Sequence, residues 1–297
     1  MLKKLGIIFL VTSISVLLSS CHIKQKDVET IKRTTDNLRI YQPGNFIVYD
    51  VITRTNSFTT TSRGTLRVQW DATADLLDPI DTGTQYTVLK ETTTLIYEPD
   101  STATDVTIIR YISQDSDGNI TLYAIGDGDD LYWLYKPEDT TPPFSSPVTP
   151  LVIFDSPIAV GSATTPVKFS AMEGCGVPTV GLCGSEIYTF DENEFTIVGD
   201  STSITTGLGE FSNPFQIRFN GINIPKNSPA ISIVGDIRDA CGTSLDSTEH
   251  NGIMFVMPEI GIVQMTNQCQ NLTGQQGLVN YTITINNTNI PLPTPTP

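Results

Sequence analysis

Apolar and polar residues alternate through much of this chain, a period of two that a helix cannot use and a half-buried strand requires. Leu66, Val68 and Trp70 fall on one side of Arg67 and Gln69. Phe215, Ile217 and Phe219 do the same around Gln216 and Arg218, as do Val279, Tyr281, Ile283 and Ile285 near the C-terminus. Val106–Ser113 and Ile120–Ile125 flank Gln114-Asp115-Ser116-Asp117-Gly118-Asn119, whose Asp-Gly step tolerates the positive φ of a tight hairpin. About fourteen such runs can be read, and no long segment carries an apolar stripe at helical spacing. The expected fold is all-β: a mostly antiparallel sheet, as a large sandwich or an open barrel, with few or no helices.

Prolines punctuate the pattern. The run Pro137–Pro150 holds five of them, too many to donate ladder hydrogen bonds, so it must be a loop or linker. The body 41–290 is read as one continuous sheet system crossed by it, with a split into two β domains at 137–150 as the alternative. Residues 291–297, Pro-Leu-Pro-Thr-Pro-Thr-Pro, predict an extended, polyproline-like disordered tail.

The N-terminus has a different composition. Lys3 and Lys4 precede an apolar stretch from Leu5 to Leu18, the length and flanks of a signal peptide over residues 1–20 and short of the roughly 20 apolar residues of a spanning helix. Leu18-Ser19-Ser20-Cys21 resembles the lipobox of bacterial lipoproteins. The resemblance implies that Cys21 receives diacylglycerol on its thiol, that the peptide is cut before it, and that the new amine is acylated. Two or more acyl chains anchor stably where one does not, at about 0.8 kcal/mol per buried CH₂. The partner implied is then the membrane, reached through the lipid on Cys21. His22 stands where an aspartate signals inner-membrane retention, which favours the outer membrane.

Charge divides along the same boundary. Without Lys3 and Lys4, 15 of the 17 basic residues remain against 32 acidic ones. The tether 21–40 carries Lys24, Lys26, Lys32, Arg33 and Arg39 against Asp27, Glu29 and Asp36, and the body is strongly acidic. A basic tether beside an anionic surface, or a plain solvated linker, accounts for the first. The acidic body argues against nucleic acid as a partner, because phosphate binding needs a basic surface.

Beyond Cys21 the cysteines are Cys175, Cys183, Cys241 and Cys269. An even number in an exported chain suggests two disulfides with three possible connectivities. Proximity favours Cys175 with Cys183 and Cys241 with Cys269, closing loops worth about 2.5 and 3.5 kcal/mol in the chain-entropy model. Zinc is disfavoured, since there is no Cys-x-x-Cys pair and only His22 and His250 supply imidazoles.

Reactive chemistry is sparse. Ser185 does not sit in Gly-x-Ser-x-Gly, and His250 lies in a polar stretch before a strand. In Gly126-Asp127-Gly128-Asp129-Asp130, the carboxylates of Asp127, Asp129 and Asp130 offer hard oxygen ligands for calcium, although the loop lacks EF-hand spacing and reads equally as a turn. No other cofactor is implied. Tyr132, Trp133 and Tyr135 form either an aromatic platform for a sugar or peptide, or covered sheet.

Two further segments, Tyr41-Gln42-Pro43-Gly44-Asn45-Phe46-Ile47-Val48-Tyr49 and Met257-Pro258-Glu259-Ile260-Gly261-Ile262-Val263, resemble features of uncharacterised all-β bacterial lipoproteins. That family has no agreed activity, so the resemblance transfers no catalytic residue. The expected function is a non-catalytic envelope protein with a structural or binding role, its protein or glycan partner unknown. The alternatives are a carrier of lipid or another hydrophobic ligand, and a carboxylate- or calcium-dependent hydrolase.

Overall fold

In a computed structural model of the chain, the described residues are 30–37, 41–54, 60–77, 83–99, 106–126, 132–135, 151–154, 157–163, 167–172, 186–200, 202–225, 248–271 and 279–293. Among them the strands are, in chain order, β1 (Thr30–Lys32), β2 (Phe46–Arg54), β3 (Thr60–Leu77), β4 (Gln85–Tyr97), β5 (Val106–Gln114), β6 (Ile120–Ile125), β7 (Tyr132–Tyr135) and β8 (Leu151–Phe154). There follow β9 (Val167–Met172), β10 (Glu186–Gly199), β11 (Ser203–Thr205), β12 (Glu210–Ser212), β13 (Phe215–Pro225), β14 (Thr248–Met257), β15 (Gly261–Asn271) and β16 (Val279–Thr288). None of the described residues is helical.

Thirteen strands form one sheet in the order β5-β4-β3-β2-β16-β15-β14-β13-β10-β9-β7-β6-β8, every pairing antiparallel. β6 also pairs with the free edge of β5, so the run of neighbours curls back to its start. Strands before and after the proline-rich 137–150 segment, β7 on one side and β8 and β9 on the other, belong to this same sheet. The segment itself lies outside the described residues. The fold is thus all-β and mostly antiparallel, as the alternation required.

Register explains why alternation was legible. Residues opposite each other in antiparallel strands share a face. Ile285, Tyr49, Leu66 and Leu95 stand opposite one another in sequence across β16, β2, β3 and β4, and all are buried. Thr65 and Arg67, on the other face of β3, are exposed. The predicted hairpin joins β5 to β6 with Gly118 at φ 93°. Inside it the Asp115 carboxylate accepts the amides of Asp117 and Asn119 and the Asn119 side chain. The Asn119 side-chain bond, ahead of those amides, holds the Asp115 carboxyl below its ordinary value.

Two short segments near the chain ends join the body. Within the tether 21–40, Thr30–Lys32 is a strand, paired in parallel with β12. With β11 it completes a three-stranded sheet in the order β1-β12-β11. At the other end Ile290 is buried and Leu292, among the described tail residues 291–293, packs against the main core. Both short segments carry apolar side chains that bury well, and period-two patterning cannot register in three residues.

Candidate functional site

The three-stranded sheet lies across one end of the curled sheet. β11 follows the end of β10, β12 leads through Asn213 into the start of β13, and Asn213 N–H bonds back to Thr202. In the β11–β12 turn Gly207 lies beside the Asn286 side chain of β16. Ile31, Ile204 and Phe211 of this cap share one core with Ile47 and Tyr49 of β2, Ile283 and Ile285 of β16, and Met257 and Ile260 of the β14–β15 turn.

The segment following β1 is fastened to the same end. The Arg33 guanidinium donates to Asp200 Oδ2 at 2.9 Å, lies 3.5 Å from Asp36, and stacks 3.8 Å from the centroid of Phe215. Glu259 Oε1 accepts the Thr34 hydroxyl at 2.6 Å and the Thr35 amide at 3.0 Å. Ile158 N–H bonds to the Asp36 carbonyl. Residues 30–36 therefore run over the end of the sheet rather than away from it. Two of the five tether bases, Lys32 and Arg33, are within this docked run, and Arg33 is committed to the body.

Both lipoprotein-like segments converge here. Gly44, at φ 86°, lets the Pro43 turn fold back so that Gly44 N–H bonds to the Trp70 carbonyl and Trp70 N–H to the Asn45 carbonyl. The Asn289 side chain links Gly44 and Phe46, stitching this opening to the end of β16. In the second segment Ile260 N–H closes a turn onto Met257, Gly261 sits at φ 105°, and Glu259 makes the tether contacts just described.

Beneath the cap lies a buried polar cluster that sequence reasoning missed. Glu91 of β4 faces inward with Leu89, Thr93 and Leu95, and its side chain is 2% exposed. Its Oε2 accepts Trp70 Nε1 at 2.9 Å, and its Oε1 accepts Arg110 Nε at 2.6 Å and pairs with Arg110 Nη2. Arg110 stands directly opposite Glu91 on β5, on the face of Ile108 and Ile112. Its side chain is nevertheless 40% exposed, so solvent meets the inner face at this point. Tyr41 packs edge-on against Trp70, with centroids 5.2 Å apart. Burial first, and the Glu91 charge second, push the Tyr41 hydroxyl far above its ordinary pKa. Tyr49 is raised likewise, by burial and then by Tyr41 and Glu91.

The cluster can hold a charge pair in place and present one guanidinium edge to solvent. It offers no nucleophile with a base. A signal for it existed: Glu91 occupies the apolar phase of Leu89-x-Glu91-x-Thr93-x-Leu95, and Arg110 that of Ile108-x-Arg110-x-Ile112, with opposite signs. Charges in the buried phase of adjacent strands are expected to pair.

Most residues singled out from sequence fall elsewhere. Cys21, Cys175, Cys183 and Cys241, together with Asp127, Asp129, Asp130 and Ser185, lie outside the described residues. Cys269 of β15 stands opposite His250 of β14 and Val279 of β16 in the backbone ladder. Trp133 of β7 pairs with Ala124 and Met172.

No family model matches this chain, and no curated protein does. Two solved structures align with 86% of it and 99% of their own length. One is a proposed exported protein with a YmcC-like fold from Bacteroides fragilis, at 12% identity and a TM-score of 0.38. The other is a proposed lipoprotein from Parabacteroides distasonis, at 13% identity and 0.35. Both scores lie below 0.5, so neither transfers a location or an activity to this chain.

Proposed function

We propose that the chain is a non-catalytic, lipid-anchored envelope protein, acylated at Cys21 and positioned with its capped end toward the membrane. The observation that carries this reading is the docking of residues 30–36. Only eight residues separate Cys21 from Thr30, and those nine steps along an extended chain reach about 30 Å. The body is then held close to the bilayer, with the acidic bulk of the sheet beyond the cap. The favoured side is the outer membrane, on the strength of His22.

A structural or binding role fits the interior. The described inward side chains of β2 and β4, from Ile47 to Thr53 and from Leu89 to Tyr97, are buried. A carrier would keep such positions open to its ligand. Detergent-phase partitioning of intact envelopes tests the anchor: wild type is expected in the detergent phase and Cys21→Ser in the aqueous phase. Equal partitioning of the two would overturn the reading.

A further inference from the structure

We infer that residues 30–36 are a releasable strap, a third cap strand that opens the β12 edge while the curled sheet stays folded. Its hold is short. Three residues pair in parallel with β12 and one side chain, Ile31, is buried, whereas β2, β3 and β16 are strands of 9, 18 and 10 residues, each paired on both edges. A segment with so few backbone bonds and one buried contact sits at the low end of local stability.

The polar contacts point the same way. Arg33 Nη1 and Glu259 Oε2 are buried without a hydrogen-bond partner among the described residues. Both groups belong to the strap's own fastening, and both regain water when it lifts. The Asp200 carboxylate, the body's partner for Arg33, is 41% exposed, so that bond competes with solvent. The docked state is thus favoured by Ile31, by the Phe215 stacking and by the few hydrogen bonds to Asp200, Glu259 and Ile158, and opposed by two unmet groups.

Release has a defined consequence. β12 would present its three backbone residues as an edge, beside the space Ile31 leaves over Phe211 and Ile204. Because the strap adjoins the anchor tether, tension or crowding at the membrane bears on this edge first. The geometry of 30–36 carries the inference on its own, whether or not Cys21 is acylated.

Hydrogen exchange by mass spectrometry on the full chain in detergent micelles tests it. In wild type, 30–36 and 203–212 are expected to exchange at least tenfold faster than β2 and β16. Ile31→Ser is expected to raise exchange at 203–212 a further tenfold and leave β2 and β16 unchanged. The pair Lys32→Cys with Ser212→Cys stands in register, at a strand spacing of about 4.8 Å that a disulfide bridges, and is expected to suppress the opening. Cys21→Ser is expected to leave the pattern as in wild type, which separates failure of the strap from failure of the anchor. Protection of 30–36 equal to that of β2 and β16 would overturn the inference. So would a rise throughout the sheet in Ile31→Ser, or unchanged exchange at 203–212 in the crosslinked pair.

Discussion

Truncating Arg110 to alanine isolates what the cluster under the cap contributes. Glu91 keeps its bond from Trp70 Nε1 but loses both guanidinium contacts, leaving a buried carboxylate with no countercharge bound to it. Removing one partner of a fully buried pair costs roughly 3–5 kcal/mol, whereas an exposed pair is worth about 0–1. Glu91 is fully enclosed and the Arg110 side chain 40% exposed, so water reaches one side of the gap and the cost falls between, at about 2–3 kcal/mol. For a body of this size that lowers Tm by roughly 5–10 °C.

Urea unfolding followed by far-ultraviolet circular dichroism measures it, since Trp70 fluorescence would respond to the local change as well as to unfolding. The decisive comparison is Arg110→Met with Glu91→Gln. The amide oxygen still accepts from Trp70 and no charge remains to be matched, so the double variant is expected within about 1 kcal/mol of wild type. Equal destabilisation of single and double variants, or a loss below about 0.5 kcal/mol in Arg110→Ala, refutes a charge pair as what this cluster is built around.

Other consequences follow from neighbouring positions. A Cβ at residue 252 would collide with the Phe219 ring and the Thr266 carbonyl, so Gly252→Ala should cost about 2–3 kcal/mol in the same unfolding assay, and a neutral result contradicts the register of β13 to β15. Tyr41 and Tyr49 have pKa values raised above the unfolded value of 10.0, so their stabilising effect is intact below pH 10 and is lost as pH rises beyond it. Phenolate absorbance should then appear for these two only together with unfolding, and earlier ionisation counts against their burial. The Asp115 carboxyl has the opposite sign: its contribution to the hairpin is present above the ordinary value of 3.8 and is lost as pH falls through its depressed pKa. The Asn119 amide resonance should titrate with a midpoint below 3.8, and a midpoint at or above it removes the hydrogen-bonded turn.

Sequence made the sheet legible wherever one face met water. Leu66-x-Val68-x-Trp70 declares its buried side because Arg67 and Gln69 lie between, and the Asp-Gly step located the β5–β6 hairpin. Across Lys90-Glu91-Thr92-Thr93-Thr94 both faces are polar, so the period vanishes where the interior admits a charge. The partner of Glu91 is 19 residues away and is fixed only by register. Thr30-Ile31-Lys32 was unreadable for another reason: its partner strand is about 180 residues distant and the pairing is parallel, which no local turn announces. Leu292 was hidden among prolines that predict solvent exposure for most such tails. Nothing in the alternation indicated that the strands would share one sheet instead of two stacked ones, since inner-face patterning is the same in both.

The anchor at Cys21 is the claim to which the geometry of the capped end refers. Mass spectrometry of the N-terminal tryptic peptide, isolated from envelope-bound protein, tests it most directly. The account predicts a mature chain that starts at Cys21, with Cys21-His22-Ile23-Lys24 carrying diacylglycerol on the thiol and an acyl group on the amine. A peptide starting at any other residue, or an unmodified Cys21, would contradict it.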